Sequence, residues 1–144
     1  MSLYSPRASG IGNSAAYQVS GIPYATASIV VPELSNEPFP VEFPQITKFV
    51  TITNVKTGAN VPLRVGFSSL GVTGSANPPV AGGSDHYFVL DNGESYTGEF
   101  RVSKLFLLGD EKSGNTAEAS VIAGLTSVPA TDLPYNWSGS AGVG

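Results

Sequence analysis

The chain has 144 residues, with seven Lys or Arg against eleven Asp or Glu and a formal net charge of −4, a length that suits one domain of the usual size, about 100 to 150 residues. Its acidic balance, with no run of basic residues, argues against nucleic acid as a partner and against a polybasic membrane anchor. Charged residues make up 12% of the chain, against about 25% in ordinary soluble domains. Either hydroxyl and amide side chains coat the surface, or much of it is buried against other subunits, where charge is depleted.

Cysteine is absent, which removes disulfides, thiolate nucleophiles and zinc–cysteine sites. No apolar stretch approaches the roughly 20 residues that span a bilayer. The start of the chain lacks the apolar core of a secretory signal, so synthesis and assembly in a cytoplasm are expected.

Residues 1–16 are rich in Ser, Gly and Ala without sustained periodicity and read as a flexible arm ordered by docking. The domain is expected over 17–128. Tyr24 to Val31 is β-branched and bounded by Pro23 and Pro32, a strand signal. The following stretch holds prolines at 32, 38, 40 and 44, which remove ladder donors and suit an edge segment or a loop.

Ile46 to Val55 alternates, with Ile46, Val50 and Ile52 on one face and Thr47, Thr51 and Thr53 on the other, blurred by Lys48 and Phe49; this is a half-buried strand. Leu63, Val65 and Phe67 share a face opposite Arg64, and this strand is expected to pair with the previous one as a hairpin. Residues 68–85 form a long irregular loop, of the kind that projects for function. Two strands are then expected to meet as a hairpin at Asn92–Gly93, a pair that supplies the positive φ of a tight turn. After a charged turn at 109–116, Ala119, Val121, Ala123 and Leu125 alternate against Ser120, Ile122 and Gly124. The pattern predicts an all-β domain, a single antiparallel β-sandwich or jelly roll of seven to eight strands with irregular N- and C-terminal arms. Residues 129–144 form a C-terminal docking tail.

Catalytic chemistry is not expected. His86 is the single histidine and stands beside Ser84 and Asp85, but triad members converge from separate segments and neighbours on a strand face opposite ways. One histidine cannot build a zinc site. Asp85, Asp91, Glu94, Asp110 and Glu111 lie near turns without the spacing of a calcium loop. Glu33, Glu37, Glu42 and Glu99 carry no glycosidase signature and read as solvated residues. No catalytic residue, metal or cofactor is predicted, and Asn136–Ser138 matches a glycosylation pattern by chance.

Tyr17, Tyr135 and Trp137 are the interface candidates, from residue type alone. Trp137 is the one tryptophan and sits in a glycine-rich tail. Two fates remain open for it: folding back to cap its own sandwich, or crossing to a neighbour as a buried anchor.

The segments AYQVSGIPYATAS, VEFPQITKFVTITN, PLRVGF, HYFVLDNGES, FRVSKLFL and ASVIAGLTSVP, with YNWSGSAG at the end, taken in that order, resemble small capsid-associated proteins of cyanophages and other marine double-stranded DNA viruses. The likeness covers most of residues 16–142 and includes no catalytic signature. It implies a virion structural protein, a capsid decoration (cement) or minor capsid protein on the capsid surface. Such a protein would bind the major capsid protein lattice and, as cement proteins often do, form a homotrimer. The alternative from a different class is a carbohydrate-binding or fibre-tip module, in which exposed Tyr87, Tyr96 or Trp137 would stack on sugar rings.

Overall fold

The computed structural model describes residues 19–74 and 85–132. Chain order is β1 (Ile22–Val31), β2 (Phe39–Glu42), β3 (Gln45–Asn54), β4 (Leu63–Gly66), a short helix α1 (Ser69–Thr73), β5 (Tyr87–Leu90), β6 (Ser95–Gly98), β7 (Lys104–Gly109) and β8 (Ala117–Pro129), closed by a 3₁₀ turn at Ala130–Asp132.

Every pairing among these strands is antiparallel, in two four-stranded sheets: β1-β8-β3-β6 (sheet A) and β2-β7-β4-β5 (sheet B). The order has a simple origin. First pairs with last, second with seventh, third with sixth and fourth with fifth. The chain is one long hairpin doubled on itself, and β8–β3 and β7–β4 contacts roll that hairpin into a sandwich. Two packed sheets made this way are a jelly roll.

Alternation builds the interior. Ile29, Val31, Val50, Ile52, Val121 and Ala123 from sheet A meet Val41, Leu63, Val65, Leu90, Leu105 and Leu107 from sheet B in one apolar cluster, the expected content of facing inner surfaces. The strand signals at 24–31, 46–55 and 119–125 thus land on β1, β3 and β8. The proline-rich stretch supplies β2, which sits at the edge of sheet B with Pro40 in its middle, where a missing donor costs least.

Two expected hairpins do not form. β3 and β4 lie in different sheets, and so do β5 and β6. The 55–62 connection carries the chain across the sandwich through Gly58 at φ +85°. Gly93 does take φ +82°, but its turn also passes from one sheet to the other. Asn92 holds the two crossings together: its side-chain oxygen accepts from the Val61 amide at 3.1 Å and its nitrogen donates to the Ala59 carbonyl at 2.9 Å. The start of the long loop is helical over α1, with Ser68 accepting from the Gly71 amide as its cap.

Candidate interaction surface

The two outer faces are treated differently by the chain. On sheet B, α1 and the β1–β2 connection lie over the strands. Leu34, Val72 and Leu108 form a second small core with Tyr87 and Phe106 around it. Gly66 makes this possible, because a Cβ there would stand 2.8 Å from the Val72 Cβ. Arg64, also on this outer side, bonds Asp110 through Nε, and through Nη1 it donates to the carbonyls of Val72 and Thr73 at 3.3 and 2.9 Å. Its guanidinium covers the Tyr87 ring at 4.1 Å. All of this chemistry is spent on pinning α1 to the sheet.

On sheet A the described residues leave the outer face open, except beside Gly124, where Gly21 rests. Its outward positions follow from the register: Ala25, Ile122, Thr51 and Thr97 in one cross-strand row, Thr53 with Ser120 and Ser95 in the next, and Pro23, Gly124 and Phe49 on the other side. The face is built of hydroxyls, small residues and two exposed aliphatic side chains, Ile122 at 50% and, opposite Glu118, Val30 at 63%. Thr51 and Thr97 hydroxyls bond each other at 2.8 Å. Phe49 lies flat over Gly124, so close that a Cβ at 124 would fall inside its ring contacts. Charge is sparse here: Glu118 lies at one margin, 3.6 Å from the Lys56 ammonium, and Lys48 of β3 donates to the Val19 carbonyl. A surface with few exposed ions loses little solvation on being covered, which is the property of an interface centre.

A second feature lines the side where β5 and β6 face each other. Phe67, Phe100, Tyr96 and Phe88 form a chain of ring contacts with centroids 5.2, 6.1 and 5.0 Å apart. Tyr96 is 44% exposed, with Phe100 stacked on it at an interplanar angle of 18°. These rings close the core at its open side. Tyr87 differs, because Arg64 occupies its face.

Tyr17, Tyr135 and Trp137, the residues singled out in the sequence for an interface, lie outside the described residues, as does the 75–84 part of the long loop. His86 is exposed just before β5, its amide donating to the Gly71 carbonyl at 3.2 Å. The carboxylates do local work: Glu33 accepts from Ser35 and from the Gly114 amide, Glu94 from the Asp91 amide, and Glu111 from Ser113. Among the described residues no group of three or more His, Cys, Asp or Glu is placed to hold a metal ion. None of the helices there is long and apolar enough to cross a membrane.

The bare face escaped the sequence reading although its signal was present. Outward positions at 51, 53, 95, 97 and 120 all carry hydroxyls, but which strands stand side by side depends on distant pairing. No family model, curated protein or solved structure matches the chain.

Proposed function

We propose that this protein is a virion structural protein, a capsid decoration or minor capsid protein that docks on the major capsid protein lattice and stabilises it. The observation that carries this reading is the outer face of sheet A: poor in charge, with Ile122 half exposed, and left open by the described residues except where Gly21 rests on Gly124, whereas the outer face of sheet B is closed by the chain itself. The sequence resemblance to capsid-associated proteins of marine double-stranded DNA viruses supplies the partner. In this reading the mechanism is mechanical. Burial of small, uncharged side chains and docking of the chain ends hold neighbouring shell subunits together, and a homotrimer places three such faces on one lattice position.

The direct test mixes purified protein with shells assembled from the major capsid protein of the same genome, followed by gradient sedimentation. Saturable co-sedimentation that Ile122→Asp abolishes supports the reading; protein left at the top of the gradient at every concentration sinks it. Light scattering on the free protein tests the trimer, at three times the 14.8 kDa chain mass.

A second reading, a carbohydrate-binding module, draws on the exposure of Tyr96 and its stacking on Phe100, since exposed rings are what sugars stack on. A glycan array in which binding falls with Tyr96→Ala would favour it over the capsid reading.

A further inference from the structure

The chain leading into β1 does not run on beside β8. Ile22 pairs with Leu125, but Gly21 rests on Gly124, so near that a Cβ on Gly21 would stand 2.6 Å from the Gly124 Cα. Two residues earlier, the Val19 carbonyl accepts from the Lys48 ammonium. Lys48 belongs to β3, which is separated from β1 by β8. At Gly21 the backbone has therefore left the β1 line and lies over β8, with the carbonyl of Val19 met by the Lys48 side chain reaching from β3. It lies over Gly124, whose neighbours Ala123 and Leu125 point into the core and whose open side carries the Phe49 ring. The described chain begins on the outer face of sheet A, turned off β1 onto β8 and within reach of β3.

We propose that residues 1–18 continue along this path and cover the outer face of sheet A of their own chain, with Ile122 beneath them. Three further observations point the same way. The segment, MSLYSPRASGIGNSAAYQ, has a single charged side chain, Arg7, and half of its residues are Ser, Ala or Gly. Such a segment can lie close to a face of threonines, serines and glycine without stripping ions of water. Leu3, Tyr4, Ile11 and Tyr17 provide apolar area for Ile122 and Phe49. Its reach suffices, since 18 residues extend to about 60 Å, while four strands spaced about 4.8 Å apart make a face only about 15 Å across. The other end of the described chain lies elsewhere: Ala130 and Thr131 line a cleft of about 250 Å³ with Glu42, Phe43, Ser103 and Lys104, at the end of sheet B.

This inference does not rest on the capsid reading, because it concerns the isolated protein. A partner docking on this side of the sandwich meets arm and sheet together. The absence of cysteine allows a clean test: Thr97→Cys places one nitroxide on the face, and Ser95→Cys offers a second position should the first disturb folding. In uniformly ¹⁵N-labelled spin-labelled protein, amides of residues 3–16 should lose most of their intensity and show heteronuclear NOEs like those of the strands. Both effects should be lost in Ile122→Asp. A sample of ¹⁵N-labelled protein without nitroxide mixed with unlabelled spin-labelled protein should keep full intensity. Small or negative heteronuclear NOEs in the arm overturn the proposal, whatever the broadening. Broadening in the mixed sample also overturns it, because the arm would then lie on another copy.

Discussion

The side-chain amide of Asn54, at the end of β3, donates to the carbonyl of Leu90, at the end of β5, over 3.0 Å, and so ties sheet A to sheet B. The same nitrogen donates to the Val61 carbonyl at 3.1 Å, and the side-chain oxygen accepts from the Lys56 amide at 3.0 Å. Asn54 is fully buried and all its polar atoms are used. Replacement by leucine strands two carbonyls and an amide. With about 1 to 3 kcal/mol for each buried group left unpaired, partly offset by the apolar side chain, Asn54→Leu should destabilise by about 3 kcal/mol. Urea unfolding measures it; a loss below about 1 kcal/mol would mean the sheets are held by the core alone.

Arg64 and Asp110 should respond unequally. Arg64→Met removes the ion pair, two bonds to carbonyls of α1 and the cover over Tyr87. The Asp110 side chain is about one-third exposed, so solvent screens its share. Arg64→Met should cost about 2 to 3 kcal/mol and Asp110→Asn about 1 kcal/mol or less. Limited proteolysis should cut Arg64→Met faster within 69–74. Equal costs for the two variants would contradict this account.

Phe49 and Gly124 form a complementary pair across β3 and β8. Gly124→Ala should cost about 1 to 3 kcal/mol by overpacking. In Phe49→Ala the same change should be nearly neutral, giving a coupling energy above about 1 kcal/mol in a double-mutant cycle. Additive losses would show that the glycine is needed for its backbone and not for the ring.

Ile122→Asp tests the surface apart from the fold. At 50% exposure the change should move stability by about 1 kcal/mol or less, while binding to shells falls at least about tenfold, the equivalent of 1.4 kcal/mol. Unchanged binding would remove this face from the interface.

Tyr96→Ala should cost about 1 to 2 kcal/mol, because the ring contacts Phe88 and Phe100 and aromatic pairs add about 0.5 to 1.5 kcal/mol beyond burial. A purely surface ring would leave the melting temperature unmoved.

Strand positions were legible in the sequence because alternation is local: Val50 and Ile52, or Val121 and Ala123, state their own face. Partners were not legible. Asn92–Gly93 correctly signals a sharp turn, since Gly93 adopts positive φ. The tight-hairpin expectation failed because Asn92 bonds across to Ala59 and Val61, thirty residues away, and the turn joins two sheets. Lys48 and Phe49 blurred the β3 pattern for reasons that only the assembled sheet reveals: the register shifts between Thr47 and Phe49, Lys48 reaches Val19 and Phe49 needs Gly124. α1 is five residues long, too short for a helical period to register. The tyrosines and tryptophan chosen for the interface came from residue type, whereas the bare face is made of hydroxyls and glycine that no composition rule singles out.

The doubled-hairpin topology gives the molecule two unlike poles. β1 starts opposite Leu125 and β8 ends at Pro129, which pairs with Gln45, so the first strand begins and the last strand ends at one pole. The opposite pole gathers the connections at 32–38, 55–62, 91–94 and 110–116, cross-braced by bonds such as Gly114 to Glu33 and Asp110 to Pro62. A tether joined at Ile22 or at Pro129 would therefore leave this second pole facing away from it. A foreign peptide spliced beside Gly114, where φ is +80° and a Cβ would meet nothing, would be displayed there, making the domain a one-sided scaffold for presenting peptides.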